Sequence, residues 1–142
     1  MSEWMEVKMT KEGRVKFYVY LKENGGINMA KVAFKVDTGA DITVISREHL
    51  RVAGYSDIWV HKNMQSVKGF VTGAGGHFLD LVTVSIPLIN VAGHEIKSAL
   101  FHTTKNPKGQ VRNLLGLDVL SAFDFAFINS ENIFRIKKHS YS

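Results

Sequence analysis

The sequence predicts a single all-β domain, barrel-like and carrying one or two short helices. Short runs rich in β-branched and aromatic residues recur along the chain, and several of them alternate apolar with polar residues. Turn-forming residues, mainly Gly, Asn and Asp, separate these runs at regular spacing. The 142 residues suit one domain with a substantial core, and no linker, tandem repeat or low-complexity segment divides them. We therefore expect one all-β unit.

The first elements predict a hairpin that ends in an acidic residue. Residues 14–21 are rich in aromatic and β-branched residues and read as a strand. Asn24-Gly25-Gly26 supplies residues that tolerate positive φ, as a hairpin turn requires. Residues 27–36 return as the second strand and deliver Asp37 at its end.

A short strand and a short helix are predicted next. Residues 42–45 are apolar and read as a buried strand. Ser46 is a good N-cap for a short helix, which Gly54 would end. Residues 55–63 show no clear pattern, so we expect an irregular segment in which Trp59 is packed.

The second half of the chain predicts further strands. Within residues 66–79 one strand enters a glycine-rich tip and another leaves it, which indicates a mobile hairpin. The remaining predicted strands are residues 81–88, 89–96 around a turn, 98–103, a short strand that runs into a helix of about two turns over 113–120, and a last hairpin of 125–128 with 133–136. Residues 105–109 read as a loop because they contain Asn, Pro and Gly.

Composition excludes several classes of protein. No apolar run approaches the roughly 18 residues that cross a bilayer. Residues 1–4 show no basic region followed by an apolar core, so we do not expect them to be a secretory signal. Cysteine is absent, which rules out disulfides and thiolate zinc sites and is compatible with the cytoplasm, where we expect the protein. The net charge of +5 could suit nucleic acid, but the basic residues are scattered and lack an RNA-binding aromatic motif. We therefore expect neither a membrane nor a nucleic-acid partner.

The turn Asp37-Thr38-Gly39 lies between two apolar strands. Alone, this triplet is typical of a plain β-turn, because all three residue types form turns readily. Here, however, strands flank it on both sides, so the Asp37 carboxylate is expected to be held rigidly and partly removed from water. Such conditions suit a carboxyl group for acid–base chemistry.

Together with two later segments, this turn resembles the retropepsin family, the retroviral-type aspartic proteases and their cellular relatives. The matching segments are residues 36–45, the flap-like residues 68–78, and residues 114–120. The chain end, through residues 132–136, is similar to that of the DNA-damage-inducible ubiquitin-shuttle proteases. The resemblance implies a protease domain over 14–137.

Short segments are predicted on either side of this domain. Residues 1–13 are expected to be an N-terminal extension or an edge strand, and residues 138–142 a C-terminal tail.

The resemblance implies a role for each residue of the turn. Asp37 would be the catalytic carboxylate, and Thr38 would form hydrogen bonds across a dimer axis. Gly39 would let the backbone approach a substrate, and Ala40 and Asp41 would line the substrate-binding cleft. The flap tip, which would close over a bound peptide, comprises Gly73, Ala74, Gly75 and Gly76.

Aspartic protease chemistry requires two carboxylates, but this chain has one Asp-Thr-Gly. The other candidate aspartates lack the Ser/Thr-Gly that should follow; they are Asp57, Asp80, Asp118 and Asp124. A two-fold homodimer would bring Asp37 to its own mate. We therefore predict a homodimeric aspartic endopeptidase that hydrolyses an extended peptide or protein substrate with an Asp-activated water.

One position departs from the family pattern. The retroviral enzymes commonly carry Arg after the apolar-apolar-Gly segment, paired with the Asp that follows Asp-Thr-Gly-Ala. Here that place is Leu117, so Asp41 needs another partner or stays solvated. The pattern at Leu117-Asp118 fits the cellular relatives better.

Other functions fit the sequence less well. A non-catalytic peptide-binding or dimerisation module of the same fold is the main alternative. The six histidines form no i, i+4 pair with a Glu, and the glycines at 73–76 lack a following Lys-Ser/Thr, which argues against a zinc hydrolase and a phosphate loop. We expect no metal and no organic cofactor.

Overall fold

The computed structural model describes residues 3–66, 70–72 and 77–139. The strands are β1 (Met5–Lys8), β2 (Lys16–Lys22), β3 (Met29–Val36), β4 (Gln65–Ser66), β5 (Phe70–Thr72), β6 (His77–Leu79), β7 (Leu81–Val91), β8 (His94–Thr104), β9 (Leu114–Leu115), β10 (Phe123–Ile128) and β11 (Ile133–Lys138). The helices are α1 (Arg47–Val52), α2 (Asp57–Asn63) and α3 (Leu117–Leu120), with a 3₁₀ turn at Asn129–Glu131. The predicted all-β class is confirmed.

Three sheets organise the described strands, and none of them closes into a barrel. The central sheet runs in the order β4-β7-β2-β3-β9, with β8 paired to β7. A second sheet has the order β1-β11-β10, and β5 pairs with β6 as a separate hairpin. The antiparallel pairs dominate, and the one parallel pair among the strands described, β3 with β9, is the one that positions the site.

The core forms because β2 and β3 alternate as the sequence predicts. Phe17, Val19 and Leu21 are at most 1% exposed, whereas the residues between them face outwards. Phe17 meets Phe134 of β11 edge to face, with ring centroids 6.2 Å apart. This contact packs the central sheet against the terminal one, and the buried aromatic surface stabilises both.

The helix predictions have mixed outcomes. Ser46 caps α1 through its Oγ, which accepts a hydrogen bond from the His49 amide, as predicted. The prediction that residues 55–63 are irregular is wrong, because α2 occupies Asp57–Asn63. Ser56 caps this helix in the same way. The signal for α2 was therefore present in the sequence as a second Ser followed by an acidic residue.

The hairpin of β7 and β8 is longer and more continuous than predicted. Each strand has eleven residues, and the turn lies at Ala92 and Gly93, which have positive φ. The sequence predicts separate strands over 81–88, 89–96 around a turn, and 98–103. In the structure Pro87 and Ser98 stand opposite each other at a gap in the register, where Ser98 has a φ of 53°, and the pairing resumes beyond them.

Two further elements are shorter than predicted. The expected strand over residues 42–45 is reduced to bridge pairing at Val44, which meets both β8 and β9. The helix after β9 spans only Leu117–Leu120, about one turn instead of two. Among the described residues, no helix is long and apolar enough to span a membrane.

Candidate active site

Asp37 stands where β3 ends, and neighbouring backbone holds it in place. Its amide donates to the Leu115 carbonyl of β9 at 3.0 Å, which extends the parallel pairing by one residue. Its own carbonyl accepts a hydrogen bond from the Ala40 amide at 3.1 Å and closes the turn. Asp37 is half-buried. The position of this carboxylate is thus set by backbone bonds on both sides of it.

The Asp37 carboxylate also bonds within the turn. Its Oδ1 accepts a hydrogen bond from the Gly39 amide at 3.0 Å. A Cβ at position 39 would lie 3.3 Å from that same oxygen, closer than side chains usually approach. Glycine therefore leaves room for the Asp37 carboxylate beside the turn, and the hydrogen bond restricts the rotation of that carboxylate.

Gly116 supports the turn from below. A Cβ on this residue would lie 2.3 Å from the Ile42 carbonyl oxygen and 2.9 Å from the Ala40 carbonyl oxygen. The next residue, Leu117, donates its amide to that Ala40 carbonyl at 2.9 Å. Only glycine permits this close backbone approach, so β9 and α3 form a rigid floor beneath the turn.

A second interaction joins the far end of the turn to α3. The Thr43 hydroxyl donates to Oδ1 of Asp118 at 2.6 Å and accepts a hydrogen bond from the Gly116 amide at 3.0 Å. The Thr43 amide also donates to Asp118 Oδ2 at 3.0 Å, and the Val119 amide donates to Oδ1 at 2.8 Å. Because Thr43 is fully buried, these bonds replace water at its hydroxyl and amide, and the His102 amide donates to its carbonyl at 2.9 Å.

The side chain of Asn113 links β3 to the residue that precedes α1. Its side-chain Nδ2 donates to the Ala33 carbonyl at 3.0 Å, while its Oδ1 accepts from the Ser46 amide at 2.7 Å. One amide side chain therefore links the strand that enters the turn to the residue that starts α1.

His102 of β8 lies beside this assembly. Burial lowers the pKa of His102, and the nearby Asp118 carboxylate and a hydrogen bond with the Thr43 backbone only partly oppose that effect. A cavity of about 410 Å³ adjoins it and is lined by Ile42, Ile96, Ala99, Leu100, His102, Asp118, Val119 and Ala122. Asp37 does not line this cavity, so it is not a cleft over the carboxylate.

The predicted site residues fall into two groups. Asp37, Thr38, Gly39, Ala40 and Asp41 form one continuous turn, in which Thr38, Gly39 and Asp41 are exposed. The predicted flap residues Gly73, Ala74, Gly75 and Gly76 lie outside the described residues, although β5 and β6 form the expected hairpin around them. The catalytic and substrate-binding roles remain predictions.

Sequence reasoning missed Thr43, Asn113 and the supporting role of Asp118. Their signals were weak, because a single Thr, Asn or Asp in a loop is ordinary turn chemistry. The inward position of Thr43 follows from the path of the chain after the turn. Among the described residues, no three His, Asp or Glu side chains lie close enough to hold a metal ion.

A family model of known proteins matches the part of the chain that contains this site. Residues 24–122, well over half of the chain, match the model described as "gag-polyprotein putative aspartyl protease". The chain belongs to this aspartyl protease family. The match includes the Asp37 turn, β9 and α3, which are the elements that hold the carboxylate.

The fold of this aspartyl protease family member is similar to that of solved structures. It is similar to the crystal structure of a retropepsin-like aspartic protease from Rickettsia conorii, with a TM-score of 0.68 and 18% identity over 97% of this chain and 94% of that one. It is also similar to EIAV protease complexed with the inhibitor HBY-793, with a TM-score of 0.53 and 20% identity over 81% of this chain and 92% of that one. A comparison with curated protein sequences finds no match. The predicted retropepsin-like fold is confirmed.

Proposed function

We propose that this protein is an aspartic endopeptidase that works as a homodimer, with one Asp37 from each chain. The observation that carries the proposal is the way Asp37 is held. Its amide is bonded to Leu115, its Oδ1 to the Gly39 amide, and Gly116 is packed against the turn at backbone distance. Such support would be unnecessary for an ordinary surface turn, but catalysis requires a reacting group in a fixed position.

The turn also offers groups to a second chain. Thr38 and Gly39 are exposed at its apex, where their groups are accessible to a second chain. A two-fold axis beside Asp37 would let the Thr38 hydroxyls of two chains bond across it. The single Asp-Thr-Gly in the sequence supports the same arrangement, because one chain supplies half of the required pair.

In the proposed dimer, the two Asp37 carboxyl groups lie about 3 Å apart and share one proton, since both cannot be ionised at that distance. The ionised carboxylate takes a proton from a bound water, which attacks the scissile carbonyl carbon. The protonated carboxyl donates a hydrogen bond to the carbonyl oxygen, and a proton then passes to the leaving amine as the C–N bond breaks. The pair titrates as a unit, so neither member is assigned the proton.

We propose that the substrate is an extended peptide or protein segment. Gly39 has no side chain at the exposed apex, which leaves room for substrate backbone, and Ala40 and Ile42 are half-buried apolar residues beside it. The β5–β6 hairpin is of the kind that covers a bound strand. These features support cleavage between apolar residues.

The test uses Asp37→Asn, which keeps the shape of the side chain and its hydrogen bond to Gly39. A library of fluorogenic peptides with apolar cleavage sites is incubated with the wild type, with the variant and with Asp80→Asn, which changes an exposed aspartate. We expect cleavage by the wild type and Asp80→Asn, and a loss of at least 10³-fold in Asp37→Asn, because no water can be activated. Unchanged unfolding curves show that the fold is kept.

Mixing the two proteins tests the shared site. Excess Asp37→Asn should suppress wild-type cleavage, because each mixed dimer has one ionisable residue of the pair. Wild-type activity should also fall with the square of protomer concentration when the dimer dissociates. Equal cleavage by Asp37→Asn would overturn the mechanism, and peptide binding without cleavage at any pH would favour the non-catalytic module.

A further inference from the structure

A second cavity lies on the side of the molecule formed by α1 and α2. It has a volume of about 320 Å³ and is lined by Arg47, Asp57, Ile58, His61, Lys62, Met64, Lys105 and Pro107. This volume is at the lower end of the roughly 300–1,000 Å³ that small-ligand sites occupy. None of the lining residues belongs to the Asp37 turn, so the cavity is separate from the proposed catalytic site.

Arg47 is the unusual member of this lining. Its side chain is only 3% exposed, although arginine is among the residues that are least often buried. Within the described part of the chain, neither its Nε nor its Nη1 has a hydrogen-bond partner. A buried guanidinium with unsatisfied N–H groups is costly, because the charge has left water without full compensation.

Asp57 compensates for this charge only in part. Its Oδ1 lies 3.7 Å from Arg47 Nε, too far for a hydrogen bond, while the same oxygen accepts one from Arg51 Nη1 at 2.9 Å. Burial lowers the pKa of Arg47, and the carboxylate of Asp57 opposes that effect without cancelling it. Asp57 is therefore already committed to a closer and more exposed partner.

The charges around the cavity are unbalanced. Its lining contains three permanent cations, Arg47, Lys62 and Lys105, and one carboxylate, Asp57. A single negative group in the cavity would provide acceptors for the Arg47 N–H groups and reduce this imbalance. Ile58, Met64 and Pro107 supply an apolar wall beside the cations.

From this arrangement we propose that the cavity binds a small organic anion, in which a carboxylate or phosphate group pairs with Arg47 and an apolar part contacts Ile58, Met64 and Pro107. Arginine suits either group, because its planar N–H donors match both oxyanions in a two-point contact. Lys105 and Lys62 add attraction at the mouth. The site is independent of peptide cleavage.

The experiment measures binding by calorimetry and by amide chemical shifts, with the full chain at constant ionic strength. The probes are butyrate, phenyl phosphate and inorganic phosphate, and chloride is the reference. Wild-type protein should bind butyrate or phenyl phosphate saturably, with shifts at Ile58, Met64 and Lys105. Preference between these two identifies the charged group, and weaker binding of inorganic phosphate shows the contribution of the apolar wall.

Matched variants locate the site. Arg47→Met keeps most of the side-chain length and should weaken binding by more than about tenfold, since hydrogen bonds between charged groups are among the strongest. Arg112→Met removes the same charge at an exposed position outside this cavity, so binding should stay within about twofold, as expected for a distant screened charge. Asp57→Asn removes the competing carboxylate and should tighten binding.

Variants of Lys105 and Asp57 test the site independently of Arg47. If Arg47→Met does not fold, Lys105→Met at the exposed mouth should still weaken binding, and Asp57→Asn should still strengthen it. The proposal is overturned if folded wild-type protein binds none of the three anions saturably. It is equally overturned if Arg112→Met weakens binding as much as Arg47→Met does.

Discussion

The Thr43 hydroxyl offers the sharpest test of how the turn is supported. Thr43→Val keeps the branched shape but removes the donor to Asp118 and the acceptor for the Gly116 amide, at 2.6 and 3.0 Å. The lost hydrogen bond to a charged group is worth about 1.5–3 kcal/mol, and the unsatisfied amide adds about 1 kcal/mol. We therefore expect a loss of roughly 2.5–4 kcal/mol in the free energy of unfolding.

Thr103→Val is the matched control. Thr103 is as fully buried as Thr43, yet its Oγ1 has no hydrogen-bond partner among the described residues. The same substitution there removes an unsatisfied hydroxyl, so stability should be unchanged or higher. Urea unfolding at one fixed protomer concentration gives both values, since the proposed dimerisation would change the apparent stability. If both variants unfold with the same free energy, the support assigned to Thr43 is refuted.

Two further predictions concern Gly116 beneath the turn and the effect of His102 on stability at low pH. Gly116→Ala should cost about 3 kcal/mol and lower the melting temperature by about 10 °C, because its Cβ would meet the Ile42 carbonyl oxygen at 2.3 Å. Gly26→Ala is the milder case, because its Cβ would lie 3.2 Å from Glu23 Cβ, a contact that a small shift relieves. It should change stability by less than about 1 kcal/mol, and equal melting temperatures for the two variants would contradict this reasoning. Because burial lowers the pKa of His102, the unfolded state binds a proton there more readily, so stability should fall as pH drops from 7 to 5. His102→Gln should remove that part of the loss in urea unfolding at pH 5, 6 and 7, and an unchanged pH dependence would show that His102 is not its source.

Local patterns predicted much of the fold. The alternation in β2 and the Ser46 cap of α1 are properties of neighbouring residues, and both appear as expected. The prediction for residues 55–63 was wrong because these residues show no clear apolar period, although Ser56 caps a helix there and Trp59 packs against Tyr55. The predicted division into strands over 81–88, 89–96 and 98–103 was wrong for another reason, since β7 and β8 pair with each other on both sides of Pro87 and Ser98.

The candidate site, like the fold, could be predicted from the sequence only in part. The sequence alone identified the Asp37-Thr38-Gly39 turn at the end of a strand, because residue type and chain order are enough to recognise it. It also showed that one chain carries a single such turn.

Only the tertiary structure decided what holds that turn. Thr43, Asp118 and Gly116 meet across more than seventy residues of chain, so no local pattern records their contact. Arg47 looks like an ordinary first residue of a short helix, and its burial, 3.7 Å from Asp57 of α2, appears only in the folded chain. Hydrogen bonds and burial depend on distances in space, and these are set by the packing of the whole chain.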